Sequence, residues 1–287
     1  MLGSDIVDFF LKKTEYEVFG ISYSSDSILI PERNFKLSLT NENDVKAVIV
    51  QIRPDIIVNC AANVNLEYCE KNRESAFDIN SNAVSKLLKY SNDAKFVHIS
   101  TDSIFDGIKG NYTENDIPDP LNEYSKSKYE AERIIFNEKP SSSIIIRSNI
   151  YGFHVPVLKS SLFEWFISNS NKGNKISGYD NVIFNPLFTR QLVRVIDELL
   201  MINYTGLINA GSFDSVSKYD FLVLLNKEFE KTTLIERGHL KTVANDIQRP
   251  LNTSLNISKL KKILKKDFSL VSGVQELRQN YMIKYKI

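Results

Sequence analysis

Tyr124 and Lys128 stand four residues apart in the stretch "PLNEYSKSK" (120–128). On a helix that spacing puts both side chains on one face. An ammonium beside a phenol favours the phenolate, which gives a proton donor usable near neutral pH. The pair alone is a weak signal. With 13 tyrosines in the chain, about one Tyr-x-x-x-Lys arises by chance, and a solvated pair is the plain alternative. Pro120 before the helix and the upstream stretch "HISTDSIFDG" (98–107) make the combination more specific. Ser100 and Thr101 close an apolar run, so their hydroxyls stand at the carboxyl end of a strand, where ligands of open parallel sheets sit. One of them can donate to a substrate carbonyl; capping the next turn is the alternative. In "VNCAANVN" (58–65) a strand runs into the small residues Cys60, Ala61 and Ala62, over which a flat ligand can approach the backbone. A tight turn without a ligand fits these residues equally well.

Chemistry at strand ends needs a sheet, and the flanking sequence supplies one. Apolar runs are expected as strands at 17–22, 56–59, 96–100 and in "SIIIRSN" (143–149), with amphipathic helices at 3–13, 40–52, 75–90 and 123–137. Thr40 is the expected N-cap of the second helix. Strands that are apolar on both faces and alternate with such helices describe an α/β protein with a doubly wound parallel sheet. After Tyr151 the alternation weakens. Helices are expected at 158–170, 190–201, 218–230, 258–265 and 273–284, a short strand near Val182, and a strand in "GLINAG" (206–211). Residues 1–150 then form the sheet domain, with 189–212 returning to it, and 151–188 and 213–287 form a smaller C-terminal lobe.

Composition narrows the function. The 287 residues suit one large domain, or one domain with a smaller lobe, and 43% hydrophobic with 25% charged residues is ordinary for a globular chain. A formal net charge of +1 gives no electrostatic case for nucleic acid or a membrane surface. No apolar run reaches transmembrane length and no signal peptide is visible. Cys60 and Cys69 form no CxxC pair, which reads as a reduced, cytoplasmic protein. No cluster has metal-site spacing. His98 lies within a strand and reads as a satisfied core residue. Trp165, in "SLFEWFISN" (161–169), reads as packing.

Together "NCAAN", "STDSIFDG", "PLNEYSKSK" and "RSNIYG" resemble the extended short-chain dehydrogenase/reductase superfamily, within it the dTDP-4-dehydrorhamnose reductase branch. The likeness is strong over 3–152 and continues more weakly through "NPLFTRQL", "GLINAGS" and "RPLNTSL". It implies a Rossmann domain for NADP or NAD and a lobe for a nucleotide-activated sugar. Thr101 is implied to bond the substrate keto oxygen. Tyr124 is implied to give its proton to that oxygen, and Lys128 to hold the nicotinamide ribose and lower the tyrosine pKa. Asn59, Cys60, Ala61, Ala62, Asn80, Ser100, Ser148, Asn149 and Ile150 are implied to line the cofactor. Asp102, Asn149 and Arg249 are implied on the substrate side. Relatives of this kind are often homodimers.

Three departures shape the expectation. In the superfamily a first strand and a Gly-x-x-Gly-x-x-Gly turn precede the first helix, and "MLG" resembles the end of that turn. Met1, Leu2 and Gly3 then stand at the pyrophosphate site, and Met1 is expected to be an internal methionine of a longer chain. A homologue that has lost its cofactor site is the alternative. The second strand ends in "SYSSDS", without an acidic residue at its tip, and Asp26 comes too late; with Ser38 in "SLT" this favours NADP slightly over NAD. Ser103 stands where the superfamily's dehydratases carry glutamate, which argues against dehydration. The implied reaction is reduction of a keto group on a nucleotide-linked deoxysugar. A nucleotide-sugar epimerase and a non-catalytic regulatory homologue are the alternatives.

Overall fold

The computed structural model describes residues 1–24, 29–154, 161–241 and 246–285. Asp26 and the start of the helix expected at 158–170 lie outside them. In chain order the first half contains α1 (Leu2–Phe10), β1 (Gly20–Ser22), β2 (Asn34–Lys36), α2 (Glu42–Ile52), β3 (Ile56–Asn59), α3 (Leu66–Lys71), α4 (Arg73–Phe77), α5 (Ala83–Tyr90), β4 (Lys95–Thr101), α6 (Glu123–Glu138) and β5 (Ser143–Ser148). The second half contains β6 (Ile150–Tyr151), α7 (Leu162–Asn171), β7 (Ile176–Tyr179), β8 (Ile183–Phe184), β9 (Leu187–Phe188), α8 (Thr189–Met201), β10 (Gly206–Ala210), β11 (Val216–Ser217), α9 (Lys218–Glu228), β12 (Ile235–Gly238), α10 (Ser258–Leu264) and α11 (Leu270–Tyr285).

The strands β10-β5-β4-β3 form one parallel sheet, in that order. Successive residues of a strand face opposite sides, and the core follows that rule. Val97, Ile99, Ile144, Ile146 and Ile208 pack with α1 and α8 on one face. Phe96 and Ile145 pack with α2, α5 and α6 on the other. Helices therefore cover both faces, which is the doubly wound α/β arrangement. β1 and β2 pair in parallel as a separate ribbon, and among the described residues no ladder joins β1 to β3. A second core forms around Phe163, Phe166, Phe184, Phe188, Phe221, Val274 and Leu277. Here α7 begins with a capping box, Ser161 accepting from the Glu164 amide. Trp165, expected in the packing, points outward at 38% exposure while its neighbours Phe163 and Phe166 are buried. It lies on the opposite face of a helix whose apolar stripe is only partly wide.

Local chemistry moves two other boundaries. Asn41, not Thr40, caps α2, accepting from the Asn43 amide. Thr40 instead shares a hydrogen bond with the Ser38 hydroxyl at 2.7 Å. The helix expected across 75–90 is interrupted by a π-helical turn at 78–82 that sits between α4 and α5. Asn80 and Ser81, both buried, fall in it. Asn80 is bonded sideways to the loop at Asn63, and a single wide turn is a common way to re-aim such a residue.

The helix that carries Tyr124 and Lys128 is fastened at both ends of its inner face. Asn122 caps α6 by accepting from the Ser125 amide at 3.0 Å, and its Nδ2 donates to the Gln248 carbonyl at 3.0 Å. Two turns on, Glu132 takes a bidentate pair of hydrogen bonds from Arg147 of β5 and a third from Ser100 of β4 at 2.5 Å. Glu132 and Arg147 are 0% and 2% exposed, so each charge depends on the other. Replacing Glu132 by alanine leaves a buried guanidinium uncompensated, and should lower unfolding free energy by about 3–5 kcal/mol. Urea unfolding of wild type and Glu132→Ala measures this; a loss under about 1 kcal/mol, the size of an exposed pair, contradicts the assignment.

Candidate active site

The carboxyl ends of β3, β4 and β5 bring the expected residues together. Thr101 is the last residue of β4, opposite Ser148 of β5. Its hydroxyl caps the short turn that follows, accepting from the Ser103 amide at 3.2 Å, and also donates to Asp102 Oδ1 at 3.2 Å. Tyr124, in the first turn of α6, is half-buried, and its phenol lies near enough to the Thr101 side chain for that hydroxyl to act on its proton affinity. The two groups expected to share a carbonyl oxygen are thus neighbours.

Lys128 does not do what the four-residue spacing suggested. Its ammonium nitrogen turns into the sheet, donating to the Ile99 carbonyl at 2.7 Å and lying 3.2 Å from His98 Nε2. Burial, the largest influence, pushes the Tyr124 phenol up to about 12; Thr101 opposes this, while Asp102 and Cys69 add to it. Lys128 is not among the groups that act on the phenol. The expected lowering of the tyrosine pKa is therefore absent from this conformation, in which the lysine's head is engaged by Ile99 and His98.

Alternation along β4 places Ser100, and local hydrogen bonds and packing place Asn80, Asp102 and Leu2. Phe96, His98 and Ser100 share the face of β4 that looks at α6. Ser100 spends its hydroxyl on buried Glu132 and does not face a ligand. Asn80 is 1% exposed and uses both ends of its amide on Asn63 and Ser127, so it shapes the loop after β3 rather than lining a cofactor. Asp102 is 1% exposed, and its carboxylate accepts from Thr253 Oγ1 at 2.5 Å and Asn149 Nδ2 at 3.0 Å. In this structure its oxygens are committed to these partners. Leu2 belongs to the core under α1.

The remaining residues keep open positions. Cys60 and Ala61 are exposed and Ala62 half-exposed at the end of β3, while Asn59 is buried beneath them. α1 starts beside this turn: a Cβ placed on Gly3 would come 3.3 Å from Cys60 Sγ. No side chain caps the N-terminus of α1 behind Met1. Ser148 is buried and donates weakly to the Asn149 carbonyl at 3.3 Å; Ile150, half-buried, starts β6 against Leu187 of β9. Arg249 is exposed, at the start of an extended strap, 249–256.

That strap is what sequence reading missed. Asn252 donates to the Gly107 carbonyl at 2.9 Å, Thr253 to Ile183, and Tyr112 and Asn256 exchange bonds with 254 and 112. Gly107 has φ +76°, and a Cβ there would meet the Leu251 amide nitrogen at 2.5 Å. Only glycine lets the loop after β4 and the strap lie this close. Lys218, at the start of α9, was also missed. Its nitrogen lies 3.3 Å from the centre of the Phe184 ring and its charge acts on Asp102. Burial lowers it to about 8. Nothing in the sequence around Thr253 or Lys218 signals these roles, since the contacts span the whole chain. Among the described residues no group of His, Cys, Asp and Glu is arranged to hold a metal, and no helix is long and apolar enough to cross a membrane.

Because Tyr124 is raised, it should stay a phenol when free tyrosines ionise. In the tyrosinate difference spectrum between wild type and Tyr124→Phe, no absorbance attributable to Tyr124 is expected at about pH 10.5. A full tyrosinate signal at that pH contradicts the placement.

Known proteins resemble this chain along its length. A family described as the RmlD substrate binding domain matches residues 1–282. The chain is 25% identical to dTDP-4-dehydrorhamnose reductase of Aggregatibacter actinomycetemcomitans, over 91% of this chain and 89% of that protein. It is 26% identical to methionine adenosyltransferase 2 subunit beta of Danio rerio, over 87% of this chain and 78% of that one. The crystal structure of a hypothetical dTDP-4-dehydrorhamnose reductase from Sulfolobus tokodaii superimposes with a TM-score of 0.82 at 29% identity, covering 95% of each chain.

Proposed function

The chain belongs to the RmlD substrate binding domain family, and on that premise we propose that it is an oxidoreductase reducing a keto group of a nucleotide-activated deoxysugar with NADPH or NADH. The observation that carries the reading is the meeting of Thr101 and Tyr124 at the open end of β4, with Lys128 in the next turn of α6. The relatives named as reductases support it.

The residues suit a dinucleotide. The exposed small-residue turn Cys60-Ala61-Ala62 leaves room for a flat ring system, and the uncapped N-terminus of α1 beside it offers backbone N–H groups to a pyrophosphate. When bound, the nicotinamide supplies the hydride. Thr101 and Tyr124 hold the keto oxygen between two hydroxyls and fix the face of the carbon presented to the nicotinamide. Tyr124 passes its proton to that oxygen as negative charge develops there. For this the phenol must lose proton affinity, and Lys128, one turn along the same helix, supplies the cation when it swings outward from Ile99 and His98. In the free protein the Thr101 proton goes to Asp102, which Asn149 and Thr253 hold in place; to bond the keto oxygen, Thr101 turns that proton from Asp102 to the substrate. The strap brings Arg249 toward the same end of the molecule, where a guanidinium suits a nucleotide's phosphates. NADP remains the favoured cofactor, and a homodimer the expected assembly.

The relative named as a subunit favours a second reading, in which the fold serves a regulatory partner and no ketone is reduced. An epimerase is a third. One assay separates them: NADPH absorbance during incubation with a dTDP-4-keto-6-deoxysugar. The proposal expects one NADPH consumed per sugar reduced, and a drop of about 10²–10⁴-fold in rate for Tyr124→Phe. Turnover of sugar without net NADPH loss supports the epimerase. No turnover in a protein that binds both ligands supports the regulatory reading.

A further inference from the structure

Proton bookkeeping around His98 carries one step further. The Ala61 amide N–H donates to Asn59 Oδ1 at 3.2 Å, which leaves Asn59 Nδ2 facing His98 Nδ1, also at 3.2 Å. Beyond the ring, His98 Nε2 lies 3.2 Å from Lys128 Nζ, and Nζ donates to the Ile99 carbonyl at 2.7 Å. Asn59, His98 and Lys128 are 6%, 0% and 3% exposed, so each group must be satisfied by its neighbours.

Donor and acceptor types settle the order. An amide nitrogen only donates, so His98 Nδ1 accepts and the ring proton sits on Nε2. That N–H points at Lys128 Nζ. An ammonium has three donors and no acceptor, so the contact closes only when the lysine is an amine with a free lone pair. Turning the Asn59 amide over would reverse the order, but would set its NH2 against the Ala61 N–H. A charged imidazole would face donors on both sides.

We propose that His98 is a positioning residue that holds Lys128 as a neutral amine in the free protein, through a hydrogen-bond chain beginning at the Ala61 turn. The inference deepens the role given to Lys128 in the proposed reaction and rests on that reading for its functional meaning only. Burial pulls Lys128 toward the amine, to about 8, and His98 well below its usual range. Burial alone leaves the lysine mostly charged at pH 7, so the His98 N–H must supply the rest, and a Lys128 midpoint above about 7 in the wild-type free protein overturns the proposal. Two other titratable groups act on Lys128. Glu132, on the same helix, favours the ammonium but is committed to Arg147 and Ser100; Cys60, an exposed thiol at the end of β3, favours the ammonium as well. Ala61 lies in the turn assigned to the cofactor. A ligand that takes its N–H frees Asn59 Oδ1, allows the amide to turn, and lets the chain run the other way with Lys128 as a charged donor. Occupancy of the turn would thereby set the charge of the lysine.

The test is spectroscopic and needs no substrate. Long-range ¹H–¹⁵N correlation of the full chain reads the tautomer of its three histidines; His154→Gln and His239→Gln identify the other two, so His98 itself stays intact. The proposal expects His98 with its proton on Nε2 and no titration between about pH 5 and 8. A proton on Nδ1, or a titration midpoint inside that range, overturns it. A second reading follows the ¹³Cε shift of Lys128, assigned through Lys128→Arg. Its midpoint should rise by about one unit or more in His98→Phe, which removes the N–H donor; an unchanged midpoint overturns the proposal. Neither reading depends on finding reductase activity, so failure of the proposed function leaves both interpretable.

Discussion

A buried carboxylate ties the C-terminal strap to the end of the sheet beside the candidate site. Asp102 sits at the end of the central strand β4 and is 1% exposed. Burying a carboxylate is costly unless hydrogen bonds replace the lost water. Here Thr253 comes from the strap, Asn149 from the end of β5, and Thr101 from the adjacent position. Lys218 adds a charge from α9. Burial is the largest influence on the acid and raises its pKa, while these partners pull it back. The C-terminal segments thus reach the sheet through a residue that also accepts from the Thr101 hydroxyl, and the geometry of the site depends on their being docked.

Helix α6 distributes its inner face in the same economical way. Tyr124, Lys128 and Glu132 recur every fourth residue and so share one side. The first opens to the cleft, the second turns onto β4, and the third is locked between Ser100 and Arg147. Moving along the helix from cleft to core, polar groups pass from available to fully committed. Glu132 fixes the helix against the sheet, and the Asn122 cap fixes its start to Gln248. Between those two fastenings Lys128 lies against β4, bonded to Ile99 and His98.

Much of this was legible in the residues. The strand at 56–59 and the parallel sheet with helices on both faces follow from apolar runs and helical spacing. His98 is the satisfied core residue its strand position implied. The sequence pattern was less informative wherever a contact joined distant segments. Asp102 read as a substrate ligand because its partner Thr253 lies 151 positions away. Ser100 read as a ligand-facing hydroxyl because its acceptor Glu132 lies 32 positions away. Lys128 read as Tyr124's neighbour because spacing gives the face of a helix but not the rotamer of a long side chain. The π-turn at 78–82 was hidden for a similar reason: local propensity favours an unbroken helix, and the bonds from Asn80 to Asn63 override it.

The central claim is that Thr101 and Tyr124 hold a sugar ketone for hydride delivery. The most direct measurement is isotopic: incubate the protein with a dTDP-4-keto-6-deoxysugar and NADPH carrying deuterium at the transferred position of the nicotinamide, and weigh the sugar product. The account predicts a product containing one deuterium at the former carbonyl carbon, formed in step with oxidised cofactor. A product without deuterium, or NADPH left unconsumed beside an unchanged sugar, would contradict it.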